Sequence, residues 1–226
     1  MKKMRTPVIV INFKAYTEVI GRKGLELAKL CEKISYENEV EIAIAPQNVD
    51  LGLIAKGVKI PVLAQHVDAI EPGSKTGHIT CEAIKAVGAK GTLINHSEKR
   101  LLLADIEFIV KKCKALELIS VVCTNNLEVS KACSLLAPDF IAIEPPELIG
   151  GEIAVTTADP EIVRGAVTEI KKLNSKVSVL CGAGIKNGKD VAKALELGTS
   201  GVLLASGIIK AKDQRKALED LVSGMK

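Results

Sequence analysis

Short apolar runs recur eight times along the chain, and each is four to six residues long. Runs of this length are too short for a useful helix, and their many β-branched residues indicate strands buried on both faces. The predicted strands are Pro7–Asn12, Val40–Ala45, Ile60–Gln65, Gly91–Asn95, Leu118–Cys123, Phe140–Ile143, Lys176–Cys181 and Gly201–Ala205.

Segments of helical periodicity lie between these runs. Their apolar residues recur every third or fourth position, so that one face of each helix would pack on the sheet. Asp105 and Asp213 are predicted N-caps, because a carboxylate there can accept hydrogen bonds from the first turn. Gly198 is predicted to end a helix as its C′ residue. The clearest helical segments are residues 21–34, 104–117, 189–198 and 214–222.

Eight strands alternating with helices favour a single α/β domain spanning residues 1–226, a (β/α)8 barrel of parallel strands. A doubly wound open sheet is the alternative, because periodicity does not establish closure. No GxGxxG follows the first run, which weakens the dinucleotide-binding version of that alternative.

The amino-acid composition indicates which kinds of molecule the protein could bind. Aromatic residues are 2% of the chain and Trp is absent, so the core must be aliphatic and few side chains could stack on nucleic-acid bases. The net charge is +4, with basic and acidic residues interspersed. We therefore expect no nucleic-acid partner, and a small anionic substrate suits the mild positive bias.

The cysteines do not have the spacing of a metal site, because the six show no paired CxxC motif. No apolar run approaches the roughly 20 residues of a membrane span, and no targeting segment is evident at the start. A reducing cytoplasm, with no membrane partner and no bound metal, is the expectation.

Polar side chains follow the predicted strands at the ends where (β/α)8 barrels carry their chemistry. Taken singly, each has an ordinary explanation: a surface lysine, a structural histidine such as His66 or His78, or a carboxylate in a salt bridge. A carboxylate, a cation and an imidazole at the same rim together indicate an active site. The strand-end residues are Asn12, Lys14, Gln65, His66, Asn95, His96, Glu98, Cys123, Thr124 and Glu144.

Two loops of small residues follow the last two strands, CGAGIKNG at 181–188 and LLASGIIK at 203–210. Barrels often bind phosphate at this position through backbone N–H groups, and small residues let the backbone approach the anion closely. The pair predicts a phosphate site without specifying a reaction.

Six motifs together resemble the triosephosphate isomerase family, and most closely its compact archaeal branch. They occur in family order from the first strand to the last: NFK at 12–14, NHSEKR at 95–100, VVCTNN at 121–126, EPPELIG at 144–150, CGAGI at 181–185 and GVLLASG at 201–207. The resemblance implies interconversion of dihydroxyacetone phosphate and D-glyceraldehyde 3-phosphate, in glycolysis or gluconeogenesis, without metal or organic cofactor.

The resemblance also assigns catalytic roles. Glu144 would be the base that removes a carbon-bound proton, and His96 the electrophile that donates to the substrate oxygens. Lys14, with Asn12, would stabilise the developing enediolate. From its own position, two residues beyond His96, Glu98 is expected to pair with Lys14 and keep the ammonium group positioned.

Substrate contacts follow from the same motifs. Asn12, Phe13 and Lys14 form the substrate end of the first strand. Five further residues would hold the phosphate through their backbone N–H groups, and Pro145–Gly151 would form a lid over it. These phosphate-binding residues are Ile149, Gly150, Gly184, Ala205 and Ser206.

Three features depart from the family pattern. The smallest departure is in the phosphate loops, which read GAG and ASG where longer relatives carry Gly-Gly-Ser and Gly-Gly pairs. The second lid hinge reads Gly150-Gly151-Glu152 where Thr-Gly is common, which leaves the lid kinetics open. Asn95 precedes His96 where many relatives carry Gly. The resemblance further implies a homotetramer, with a dimer as the fallback, in which the loop Pro72–Thr80 docks into a neighbouring subunit; by composition alone it is a surface loop.

Two other functions remain open on the sequence. A Schiff-base aldolase would use Lys14 as its nucleophile, but the sixth strand ends in Glu144 where such enzymes carry a lysine. A non-catalytic barrel that binds a sugar phosphate would have no reason to retain a base, an electrophile and a lid together.

Overall fold

The structure is a computed structural model that describes residues 4–144, 160–182 and 184–226. Its strands are β1 (Val8–Asn12), β2 (Glu41–Ala45), β3 (Leu63–Ala64), β4 (Gly91–Ile94), β5 (Ile119–Thr124), β6 (Phe140–Ile143), β7 (Ser178–Cys181) and β8 (Gly201–Leu204). Its α-helices are α1 (Arg22–Asn38), α2 (Leu51–Gly57), α3 (Cys81–Ala86), α4 (Leu103–Ala115), α5 (Leu127–Ser134), α6 (Pro160–Leu173), α7 (Gly188–Glu196), α8 (Ser206–Ile209) and α9 (Gln214–Ser223).

All strand pairs are parallel, in the order β2-β1-β8-β7-β6-β5-β4-β3. The two edge strands also meet, because Ile44 forms a parallel bridge with Val62 and its N–H donates to the Pro61 carbonyl at 3.0 Å. The sheet therefore closes into a barrel. The prediction of a (β/α)8 barrel is confirmed, and the open doubly wound sheet is excluded.

The core has two layers because side chains alternate along each strand. In β1, Val8 and Val10 point into the barrel, where they join a cluster that includes Leu93 and Leu203. The intervening Ile9 belongs to the larger cluster between the strands and the surrounding helices. Both faces are thus buried, and this is why the strands read as continuous apolar runs.

The third strand is shorter than predicted. The expected run was Ile60–Gln65, but only Leu63 and Ala64 form regular ladder pairs. Pro61 has no N–H to donate, and proline is confined to strand edges and starts for that reason. Pairing before Leu63 is reduced to single contacts such as Lys90 N–H to the Val62 carbonyl, at 2.8 Å.

Of the three predicted helix ends, two are confirmed and one is wrong. Asp213 caps α9 as expected, accepting from the Lys216 N–H at 3.0 Å, and Gly198 follows α7 with a φ of 93°. The prediction for Asp105 is wrong, because α4 already begins at Leu103 and Asp105 lies within its first turn. Its charge there still suits the positive end of the helix dipole.

No described helix is both long and apolar enough to cross a membrane.

Candidate active site

The carboxyl ends of the strands converge on one cavity. β1, β4, β6 and β8 contribute to its wall, and the segment after β7 completes the described part. The lining residues are Asn12, Lys14, Tyr16, His96, Glu144, Gly182, Gly184, Ile185, Lys186, Leu203, Leu204, Ala205 and Ser206. Most of the predicted site residues that lie in the described part of the chain are therefore neighbours in space.

Glu144 stands at the edge of the apolar barrel. It directly follows β6, and its N–H donates to the Thr124 carbonyl at 2.7 Å, which fixes the residue against β5. Only 2% of the residue is exposed. Burial penalises the charged carboxylate and raises the pKa of Glu144 to about 7, although a hydrogen bond with the Cys123 thiol and the charges of Lys14 and Arg100 oppose the shift.

Gly182 provides the room that Glu144 occupies. β6 and β7 pair in register with Ile143 opposite Cys181, so the next residues along, Glu144 and Gly182, also lie side by side. A Cβ on Gly182 would come within 2.5 Å of Glu144 Cγ and 3.0 Å of the Ile143 carbonyl oxygen. The side chain of Glu144 therefore depends on a glycine in the neighbouring unit.

Substituting Gly182 with Ala is expected to displace the Glu144 carboxylate and lower kcat by about 10- to 100-fold, as small misplacements of reacting groups do. KM for a phosphorylated substrate should change less, because Gly184 and the start of α8 are untouched. Steady-state kinetics measures both constants, with Gly165→Ala as the matched control at a helix site with open space. Unchanged kcat in Gly182→Ala would show that the carboxylate position is not set by this contact.

His96 faces the carboxylate as a neutral imidazole. Its Nε2 lies 3.4 Å from Glu144 Oε1. Its Nδ1 accepts the backbone N–H of Glu98 at 3.2 Å, so in the neutral ring the proton resides on Nε2 and points into the cavity. Burial, together with the positive charge of Lys14, lowers the pKa of His96 to about 4.

Lys14 is held by both its backbone and its side chain. Its φ is 47°, in the left-handed region that side chains rarely adopt. The Lys14 N–H donates to Asn12 Oδ1 at 2.9 Å, and its carbonyl accepts from Gln65 Nε2 at 3.0 Å. Its Nζ donates to Glu98 Oε1 at 2.8 Å. The strained conformation is fixed from three directions, which aims the ammonium group at the cavity.

Asn95 shapes the loop that carries His96. Its φ is 61°, a conformation natural to glycine and tolerated by asparagine. Its side chain donates to the Cys123 carbonyl and accepts from the Leu101 N–H, both at 2.9 Å. Asparagine therefore meets the backbone requirement of this position and also ties the loop to β5.

Small residues line the opposite wall. Gly184 has a φ of 71°, Ala205 is the N-cap of α8, and Ser206 is its first residue. Backbone N–H groups at a helix start suit an anion. No group of three or more His, Cys, Asp or Glu residues in the described part of the chain could hold a metal ion.

Comparison with known proteins agrees with this geometry. The family model described as Triosephosphate isomerase matches residues 7–224. The chain is 60% identical to the triosephosphate isomerase of Methanocaldococcus jannaschii over 88% of its length and 90% of the relative. It is 55% identical to that of Methanothermus fervidus, over 98% and 100%, and 54% identical to that of Archaeoglobus fulgidus, over 98% and 99%.

The chain belongs to the triosephosphate isomerase family.

One family-motif residue lies apart from the cavity. Phe13, predicted among the substrate contacts, has its side chain fully buried in the cluster between strands and helices. Its N–H donates to the Ala45 carbonyl at 2.9 Å, which extends the β1–β2 ladder. The triosephosphate isomerase motif NFK therefore contains one packing residue between Asn12 and Lys14.

The lid of the triosephosphate isomerase motif lies outside the described residues. This holds for Pro145–Gly151, for the phosphate contacts expected from Ile149 and Gly150, and for the hinge that Glu152 follows.

Other residues at the site were not assigned roles from the sequence. Gln65 was recognised only as a strand end, yet its side chain binds both the Lys14 and Ala45 carbonyls. Gly182 appeared only as part of a phosphate-type loop, although the register of β6 with β7 would have placed it beside Glu144. Tyr16 lines the cavity and packs under Lys210, 4.8 Å from its ring centroid, with no signal in the sequence pattern.

Proposed function

We propose that this chain interconverts dihydroxyacetone phosphate and D-glyceraldehyde 3-phosphate through an enediolate. Triosephosphate isomerase is itself a standard example of pKa tuning in a carboxylate and an imidazole, and the roles here are taken from that family. The observation that supports the proposal most is the neutral His96, with its Nε2 facing the buried Glu144 carboxylate at 3.4 Å.

Glu144 is the base in this proposal. Carbon acids beside a simple carbonyl are weak, so a carboxylate needs help both from its own basicity and from stabilisation of the product anion. A pKa raised to about 7 makes Glu144 a stronger base than an exposed carboxylate. Burial also excludes water, which could otherwise protonate the enediolate.

His96 donates its Nε2 proton to the substrate oxygens as negative charge develops on them. The Glu98 N–H occupies Nδ1, so the donating nitrogen is defined before substrate binds. A neutral imidazole is closer in acidity to an enediol than an imidazolium is, and it can pass a proton between the two oxygens.

Lys14 supplies the positive charge. Its ammonium group stabilises the enediolate, and Asn12 holds the Lys14 backbone in place. Glu98 keeps the ammonium positioned through the 2.8 Å ion pair. Backbone N–H groups of Gly184, Ala205 and Ser206 bind the phosphate, and the segment 145–151 closes over the site so that the enediolate does not expel phosphate.

The alternatives have less support. A Schiff-base aldolase requires an amine nucleophile, but Lys14 Nζ is engaged with Glu98, and the residue after β6 is a carboxylic acid. A barrel that only binds a sugar phosphate would not need the raised pKa of Glu144 or a defined proton on His96.

We further propose a homotetramer, with the dimer as the fallback, that works in glycolysis or gluconeogenesis in the cytoplasm without a nucleic-acid partner. Residues 71–78 of the loop after β3 are exposed, which suits docking into another subunit. Sedimentation of the purified protein tests the assembly, and a monomer would contradict it.

The activity is tested by assaying the purified wild-type protein in both directions, with a coupling dehydrogenase in excess. We expect turnover that survives metal chelation and is abolished by removing the phosphorylated substrate. A protein that binds glycerol 3-phosphate but does not interconvert the two triose phosphates would be a binding barrel, and the proposal would fail.

The pH profile tests the two pKa shifts. Glu144 must be ionised to act, so kcat/KM is expected to fall about tenfold per pH unit below about pH 7. His96, with its pKa lowered to about 4, stays neutral throughout that range and adds no second limb. Titrating the substrate phosphate separately by NMR corrects for its own ionisation. A profile that stays level down to pH 5 would contradict the assignment of Glu144.

A further inference from the structure

Two buried cysteines outside the active site are in contact. Cys81 is the first residue of α3, and Cys113 lies in α4, which packs against α3. Cys81 is 2% exposed and Cys113 is fully buried, and their thiols are hydrogen-bonded to each other.

An ion cluster encloses this pair. Lys112, adjacent to Cys113 in the chain, places its Nζ 2.9 Å from a carboxylate oxygen of Glu82, which is adjacent to Cys81. The same Nζ lies 2.5 Å from Glu71, in the loop that precedes α3. The ion pair and the thiol pair therefore join α3 and α4 at consecutive residues, and the salt bridge is a second contact that holds these two helices together.

We propose that Cys81 and Cys113 are a redox pair that a small disulfide oxidises reversibly to an intramolecular cross-link. The Cys81 thiolate attacks one sulfur of an oxidant such as glutathione disulfide, forming a mixed disulfide and releasing one glutathione thiolate. Cys113 then loses its proton to the released thiolate and attacks the Cys81 sulfur, which releases the second glutathione. One disulfide is reduced to two thiols while two protein thiols become one disulfide, so atoms and electrons balance.

The two cysteines differ in the way that this sequence requires. Cys81 accepts the hydrogen bond from the Cys113 thiol, which lowers the pKa of Cys81 and outweighs burial and the neighbouring Glu82 and Glu71 charges, which act to raise it. Donating that bond, together with burial, raises the pKa of Cys113. Cys81 is therefore the attacking thiol and Cys113 the resolving one.

Access to Cys81 comes from its place in the fold. It is the first residue of α3, a helix of only six residues, and the Thr80 before it is half-buried. The first turn opens when two hydrogen bonds to Thr80 are released: its hydroxyl accepts from the Ala83 N–H at 3.1 Å, and its carbonyl accepts from the Ile84 N–H at 3.3 Å. Local opening of such a segment is less costly than global unfolding.

The cross-link would act on stability and not on the chemistry at the cavity. It encloses the segment from residue 81 to residue 113, including β4 and the loop that carries His96, and it restricts the unfolded chain. Neither cysteine lines the cavity. We therefore expect the oxidised protein to retain kcat and KM and to melt several degrees higher than the reduced protein.

The experiment exposes the native full-length protein to glutathione disulfide and then blocks and counts thiols in denaturant. Six thiols should fall to four, with a loss of two mass units, a peptide joining Cys81 to Cys113, and full reversal by dithiothreitol. Cys81→Ser and Cys113→Ser should each abolish the cross-link. Cys133→Ser, which removes a buried thiol on α5, should leave it intact.

Three results would overturn the proposal. Six thiols remaining after oxidation would show that the pair does not react. A cross-link between other cysteines would place the chemistry elsewhere. A stable glutathione adduct on Cys81 would show that Cys113 does not resolve it. Peptide mapping of the wild-type protein distinguishes all three without relying on the folding of any variant.

Discussion

Replacing Glu144 with Gln is expected to lower kcat for triose phosphate interconversion by about 10⁴-fold, the upper end of what a positioned general base contributes. Gln has nearly the same shape and fits the space beside Gly182, but it cannot remove a proton. Coupled assays in both directions measure the loss. Residual activity within tenfold of wild type would remove Glu144 from the role of base.

The same variant separates lost chemistry from lost structure. Binding of glycerol 3-phosphate, which has the phosphate but no acidic carbon, should stay within a few-fold of wild type by calorimetry. The opposing wall, with Gly184 and the start of α8, does not involve the carboxylate. If binding falls with kcat, the substitution has disturbed the whole cavity and the assignment of Glu144 is not supported.

Unfolding experiments provide an independent check on the carboxylate. The pKa of Glu144 is raised on folding, so its charged form costs stability above pH 7, and that cost disappears as the pH falls towards 4.5. Glu144→Gln should therefore be more stable than wild type at pH 8, by about 1–3 kcal/mol. The difference should shrink near pH 5. If Glu144→Gln is less stable than wild type at pH 8, then burying the charged carboxylate does not cost stability.

The sequence was most informative where burial governs the residue type. β1 and β6 are buried on both faces, so an unbroken apolar run marked each of them, and the polar residue ending each run had to lie at the barrel rim. This rule puts Asn12 and Glu144 at the rim, and in the structure both side chains line the cavity. His96 and Lys14 followed from the same rule, because every parallel strand of a barrel ends at the same face.

The remaining features depend on contacts between distant segments. The φ of 47° at Lys14 is stabilised by Gln65, 51 residues away, which no local pattern encodes. The tautomer of His96 depends on one backbone N–H, that of Glu98. The short β3 and the early start of α4 reflect competition among backbone hydrogen bonds. An Asp at position 105 is compatible with a helix that begins after it or slightly before it, so the sequence did not determine the first residue of α4.

Replacing Lys14 with Met is expected to lower kcat/KM by about 10²- to 10³-fold, the loss that follows removal of one preorganised charge from a developing oxyanion. Met keeps most of the side-chain length. Asn12 accepts from the Lys14 N–H and Gln65 donates to the Lys14 carbonyl, so both hydrogen bonds involve only the backbone and the loop should keep its shape. Steady-state assays with both triose phosphates measure the effect.

Two companion variants decide what Lys14 does. Glu98→Gln removes the ion-pair partner and leaves the ammonium, so it should cost tenfold or less. Lys14→Arg keeps a positive charge but cannot form an imine, and a geometric mismatch should leave it between wild type and Lys14→Met. Measurable turnover in Lys14→Arg, with no borohydride-trapped adduct in wild type, would exclude Schiff-base chemistry. If Lys14→Met instead retains kcat/KM within tenfold of wild type, the stabilising charge must come from another group, and Arg100 is the next candidate because its charge already acts on both Glu144 and His96.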